Sequence, residues 1–416
     1  MTPNAQIEVL ISIDGADKKS VTITNNRPVQ AAQLFVGKKV SEALRIIPLL
    51  FHVCGKAQGF AAVSAVEAAL GQPADTESRL ARQIVCDSEL IREHLLRIFL
   101  DWSAFMPDEF KSSDRTAELQ EVMSILPQFE QGLYNGAKPF NLSSRCDLNA
   151  ETLRSALRKL EELLTRHIYG APPALWLAAQ SRDVIFHWMQ NAKTLAGKSC
   201  GRIVQNNWAK AGALDPAAEP RFLPPLSAET LYPKLFGVTA ERFIQQPTYR
   251  ERALETSALS RHHFHPLLRI LMQYCGTGLL TRQIARLVEV AVVFATLSES
   301  VERLLAGDAD VPHCREAPAS FERRRGLAMV DASRGVLVHA VELAGEVDNK
   351  CVTDDPVISC YRILAPTEWN FHASGPLVSA LEAIEGRDEA HIRQMAEMLI
   401  SSIDPCTGTK LEVHYA

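Results

Sequence analysis

"LFHVCGKAQGFAAVSAVE" spans residues 50–67, and its reading decides how the rest of the chain is understood. It sets one cysteine, Cys54, before a glycine, at the mouth of an alanine-rich run of helical character. No second cysteine follows three residues on; Ala57 stands there. Taken alone, such a cysteine is more often a small buried hydrophobe than a ligand. A thiol just before a helix N-terminus also has its thiolate favoured by the helix dipole, which keeps a ligand role open.

Working outward, the 416 residues suffice for one large domain or two or three smaller ones. Hydrophobic residues make up 47% and charged residues 22%, enough to bury a sizeable core. A net charge of −5 leaves no footprint for nucleic acid or an anionic membrane. The nine cysteines are scattered singly and include no CxxC pair, which excludes a zinc ribbon. Their odd number suits reduced thiols in a cytoplasmic protein. The opening "MTPNAQIEVLISIDG" has no signal-peptide core. The stretch 288–297 is half a membrane span and follows Arg282 and Arg286, so a buried helix is expected there and no membrane insertion.

Strands are expected at 7–14, 19–25 and 29–37, then helices at 40–50 and 57–70. The middle reads as helical: 77–102, a run capped by Asn149 and closed by Gly170, 174–190 and 279–305. Residues 214–250, with a proline cluster, look irregular. Strands return at 326–332, 334–343 and 357–365, followed by helices at 376–384 and 388–402. The expected fold is α+β, a mostly helical core with terminal β segments that meet near it, in one domain over 1–416.

Four short segments fall in a telling order: "HVCGKAQGFA" (52–61), "ASRGVLVHAV" (332–341), "APTEWN" (365–370) and "IDPCTG" (403–408). Together they resemble the large subunit of nickel–iron hydrogenases. That family carries RxCGxCxxxH near its start, PRGxxxH and PTxWN between, and DPCxxCxxH at its end. The resemblance implies the large-subunit fold and one central site built from both ends of the chain. Cys54 and Cys406 match the first cysteine of each pair. Ala57 and Thr409 replace the second cysteines, which in that family bridge nickel to iron. His52 replaces the arginine and Ala61 the histidine, while His414 lies two positions beyond the last histidine's place. Alanine offers no ligand atom and threonine a poor one for a soft metal, so no stable nickel is expected. Arg334, Gly335 and His339 match, with Ser333 for the proline; Pro366, Thr367, Trp369 and Asn370 match as well.

One retained thiol from each end, plus the arginine, is similar to the HupK/HoxV type of large-subunit-like maturation protein. That resemblance implies a non-catalytic scaffold, not an enzyme, that transiently holds the Fe(CN)2(CO) fragment of the hydrogenase centre. Cys54 and Cys406 would be its metal ligands and Arg334 would face the cyanides. The implied partners are a maturation chaperone of the HypC/HoxL type and the hydrogenase large subunit. A divergent hydrogenase with an altered metal site and a metal-free mimic of the large subunit stay open as alternatives. Only Tyr415 and Ala416 follow His414, so the chain is expected to end at Ala416 without removal of a C-terminal extension. His339 and His372 are expected to be structural, Trp369 and Asn370 to fix a turn, and Asp404 to orient the tail loop. The remaining cysteines, at 86, 146, 200, 275, 314, 351 and 360, are read as structural.

Overall fold

Ile7, Val9, Ile11 and Ile13 alternate with less buried residues, a period of two that puts one face of a strand in the core. In the computed structural model, the residues described are 6–27, 29–103, 115–179, 181–214, 221–308, 316–322, 324–345, 355–386 and 388–415. β1 (Ile7–Ile13) pairs antiparallel with β2 (Lys19–Asn25) across the expected turn. The third strand of this sheet comes from the far end of the sequence. β7 (Thr409–Tyr415) lies parallel to β1, with Ile7 opposite Thr409 and Ile13 opposite Tyr415. The tail was not expected as a strand; its alternation, Leu411, Val413 and Tyr415, is short and sits at the end of the sequence.

A second, antiparallel sheet runs in the order β3 (Glu316–Glu322), β4 (Arg325–Ala332), β5 (Gly335–Leu343) and β6 (Ile358–Leu364). β3 was missed because its sequence, "EAPASFE", has little β propensity; pairing with β4 makes it a strand. The expected strand at 29–37 is corrected to 3-10 turns over Val29–Phe35. Its interior residues Gln30, Ala31 and Ala32 are not strand formers, and Phe35 is buried with its ring edge-on to Tyr361 at 5.3 Å.

The helices surround these sheets. α1 (Val40–Leu50) meets the following His52–Leu70 segment at 91°. Within that segment, α2 (Gly55–Leu70) starts directly after Cys54 and packs against β4 and β5. A Cβ on Gly55 would lie 2.6 Å from the Pro48 carbonyl oxygen, so the corner requires glycine. α3 (Thr76–Arg97) is capped by Asp75 and continues through a π turn to Trp102. It packs against α4 (Thr116–Tyr134), which packs on α5 (Ala150–Leu163). The Asn149 cap and the Gly170 stop fall where expected.

The single helix expected at 174–190 is two: α6 (Pro173–Leu177) and α7 (Arg182–Asn191). Ser181 accepts a hydrogen bond from the Val184 amide and starts the second. After α8 (Leu195–Gln205), the stretch read as irregular holds α9 (Ala228–Phe236) and α10 (Ala240–Gln245). Ser227 caps α9 despite Pro233 inside it. α11 (Ala258–His262) and α12 (Pro266–Cys275) lead to α13 (Leu279–Leu305), the buried helix foreseen at 288–297. α14 (Pro366–Asn370), α15 (Pro376–Glu382) and α16 (Glu389–Ile403) complete the α+β fold. Among the described residues, no single helix is long and apolar enough to cross a membrane.

The contact of α2 with β4 is close enough to test. A Cβ on Gly326 would sit 1.9 Å from the Ala65 carbonyl oxygen. Gly326→Ala is expected to destabilise the fold by about 3 kcal/mol or more through overpacking. A chemical-denaturation midpoint unchanged from the parent would contradict this packing.

Candidate functional site

The corner between α1 and α2 carries Cys54 onto the wall of a cavity of about 500 Å³. Cys406, reached from the other end of the chain, lines the same cavity, as does Arg334 from the turn between β4 and β5. The three residues singled out from the sequence are thus brought together. Thr367 and Ser333 also line the cavity, and the Thr367 hydroxyl lies 3.0 Å from the Cys406 sulfur. Leu50, Phe51, His52 and Val53 supply a more apolar wall.

Arg334 is the anchor. Its side chain is 3% exposed. It donates to Ser333 Oγ at 3.2 Å, Glu93 Oε2 at 3.4 Å and Asp404 Oδ1 at 3.3 Å. Asp404 ends α16 in the left-handed region, φ 63°, two residues before Cys406. Arg97 Nε contacts the same Asp404 oxygen at 2.8 Å. Burial works to raise the Asp404 carboxyl, but Arg334, Arg97 and Arg286 outweigh it and hold it below its usual range. Arg286 of α13 also donates to the Ser401 carbonyl at 3.0 Å, tying the end of α16 to the core. Asn370 donates to the Arg334 carbonyl at 3.0 Å and accepts from the Thr256 amide at 2.8 Å. So Asp404 orients the tail loop, as expected, while Asn370, expected only to fix a turn, ties α14 to the Arg334 and Thr256 backbone.

Cys54 corrects one expectation. It does precede a helix N-terminus, but that terminus is already occupied. The Glu89 carboxylate of α3 accepts from the Lys56 amide at 2.9 Å and from the Ala57 amide at 2.9 Å. Burial, then the neighbouring Cys406 and Glu89, push the Cys54 thiol up to about 12, against the pull of Arg334 and Gln58. Burial likewise raises Glu89 to about 7. The helix dipole therefore serves Glu89, and Cys54 rests as a thiol.

A polar relay stands behind that thiol. Burial lowers His339 to about 3, so its ring is neutral. Gln58 Oε1 can only accept, so His339 Nε2 donates to it at 2.8 Å. Nδ1 then accepts from the Tyr361 hydroxyl at 2.7 Å. The Gln58 amide in turn donates to the Cys54 sulfur at 3.7 Å. His339 is structural, as expected, and so is His372, whose Nδ1 accepts from the Ser374 amide.

Ala57 is buried and Thr409 is exposed at the start of β7; neither lines the cavity. His414 is exposed beside Glu412. Among the described residues, no group of three or more His, Cys, Asp or Glu side chains forms a ligand cluster, so the donor set does not fit a four-thiolate nickel–iron centre. Cys86, Cys146, Cys200, Cys275 and Cys360 do not line the cavity; Cys314 and Cys351 lie outside the described residues. Arg27, Gln58, Glu89 and Glu93 belong to the site but were not singled out. The signal for the last two was present in the spacing of Glu89, Glu93 and Arg97 at intervals of four. Such a stripe normally marks a solvated helix face, and here it is turned inward.

No protein-family model matches the chain. The fold is that of a nickel–iron hydrogenase large subunit. The nickel–iron–selenium hydrogenase of Desulfovibrio vulgaris Hildenborough superposes with a TM-score of 0.60 over 94% of this chain and 93% of that one, at 15% identity. The enzyme of Desulfomicrobium baculatum gives 0.59 over 93% of each, at 13% identity. In sequence, the chain is similar to the hydrogenase expression/formation protein HoxV of Cupriavidus necator, 29% identical over 94% of this chain and 92% of that protein. It is 27% identical to the expression/formation protein HupK of Bradyrhizobium diazoefficiens, over 99% and 97%. The resemblance first seen in four motifs therefore runs along nearly the whole chain, and these homologues support a role in hydrogenase maturation.

The electrostatics around Cys54 can be read by alkylation. The rate of iodoacetamide modification at Cys54 is expected to keep rising above pH 10. Glu89→Gln keeps an acceptor at the helix terminus and removes a negative charge, so it should move the profile to lower pH. Peptide-resolved mass spectrometry measures both. A profile that levels off near pH 8.5, unmoved by Glu89→Gln, would contradict this account.

Proposed function

We propose that the chain is a non-catalytic cytoplasmic scaffold for hydrogenase cofactor assembly, whose cargo is the Fe(CN)2(CO) fragment. The observation that supports this is the convergence of Cys54, Cys406 and Arg334 on one cavity, with no further thiol lining it among the described residues. Soft thiolates suit low-spin iron bearing strong-field ligands. Arg334 offers donors and a fixed cation to a cyanide nitrogen. Two protein ligands leave coordination positions open, so a thiol of a HypC/HoxL-type chaperone or of the hydrogenase large subunit can exchange for them. The retained cysteines match the family's terminal nickel ligands, so on this reading the iron sits displaced from its place in a finished hydrogenase.

Infrared spectroscopy and metal analysis of anaerobically purified protein test the proposal. Cyanide and carbonyl stretches with iron and without nickel are expected, and no hydrogen oxidation. Cys54→Ala and Cys406→Ala should each strip the fragment, whereas Cys360→Ala should retain it. Nickel with hydrogen uptake would overturn the scaffold reading in favour of a divergent enzyme. Wild-type iron content and bands in both cysteine variants would rule out the thiolate site.

A further inference from the structure

We propose that the cavity holds its cargo with two cations, Arg27 as well as Arg334, so that each cyanide of the fragment meets its own guanidinium. This rests on the cargo reading above and adds a residue that neither the motifs nor the hydrogenase resemblance marks.

Arg27 follows β2 and lines the same cavity as the two thiols. Its side chain is 19% exposed, open enough to reach a ligand yet enclosed enough to act in a weakly screened setting. Among the described residues its guanidinium makes one hydrogen bond, to Glu368 Oε1 at 2.5 Å. A guanidinium carries five N–H donors, so most of those on Arg27 remain for a ligand. Arg334, by contrast, already serves Ser333, Glu93 and Asp404.

Both guanidinium groups line the cavity together with the two sulfurs. A ferrous ion with two cyanides and two ionised thiols carries an excess of two negative charges. Two guanidinium groups on the same cavity offer donors to that excess charge. The hold of Glu368 on Arg27 is a partial one. Its Oε2 is buried without a partner, and burial pushes its carboxyl above the usual range. Arg27 can therefore turn donors toward a ligand without abandoning a bidentate pair.

The experiment compares Arg27→Leu, Arg27→Lys, Glu368→Gln and Arg334→Leu with the parent as full-length chains purified anaerobically. Infrared bands and iron content are the readouts, with thermal unfolding as the folding control. Arg27→Leu is expected to shift a cyanide stretch and lower iron retention several-fold, with the carbonyl band little moved. Arg27→Lys should restore part of the retention. Glu368→Gln should keep wild-type retention, since the cation survives. Two outcomes overturn Arg27 alone: cyanide bands unmoved in a folded Arg27→Leu chain, or equal loss in Glu368→Gln, which would make Arg27 a clamp on α14. A parent chain without cyanide bands would overturn the cargo reading and this inference with it.

Discussion

A guanidinium cannot be discharged at any pH a protein meets, so burying Arg334 obliges the fold to bring acceptors to it. Two arrive from far off in the sequence, Glu93 on α3 and Asp404 at the end of α16, and Ser333 next door adds a third. Asn370 fixes the backbone of the same arginine and so locks α14 beside it. Stripping one carboxylate from such a set leaves an uncompensated buried charge, typically about 3–5 kcal/mol. An ion pair two residues away thus helps align the segment that carries Cys406, together with the Thr367 contact and the β7 pairing.

Much of this was legible in the sequence where local pattern and motif agreed. The alternation in 7–13, the Asn149 cap, the Gly170 stop and the long apolar helix at 279–305 each follow from one-dimensional chemistry. The motifs gave Cys54, Cys406 and Arg334 because spacing survives even where ligands are lost. What stayed hidden depended on partners. β3 is a strand because β4 receives it, not because of its own residues, and the place of β7 is set by its pairing with β1. Glu89 looked like one charge on a solvated helix face. Nothing short of the packing of α3 on α2 shows that it caps another helix. Arg27, in an "NNRP" loop, has no local feature that distinguishes it from any exposed arginine.

The departures from the hydrogenase pattern are coherent with one another. In the sequence motif Ala57 stands at the bridging cysteine's place, and in the structure it is buried off the cavity with its amide engaged by Glu89. A carboxylate at this helix terminus discourages a thiolate on Cys54, and the Tyr361–His339–Gln58 relay offers a single weak donor to its sulfur. Such a site sits far from the firm four-thiolate cage of a resident metal centre. On the proposed reading, the cargo brings its own strong field and leaves again.

The parallel pairing of β1 with β7 has a consequence for biogenesis. Strands about four hundred residues apart must find each other, and contacts so distant in sequence form late because of the loop-closure entropy they cost. Gln6 and Gly408, which flank that pairing, both line the cavity. During synthesis, N-terminal elements are available to fold while the segment bearing Cys406 is still within the ribosome. The pocket is completed only when β7 docks, so no half-made chain presents it whole.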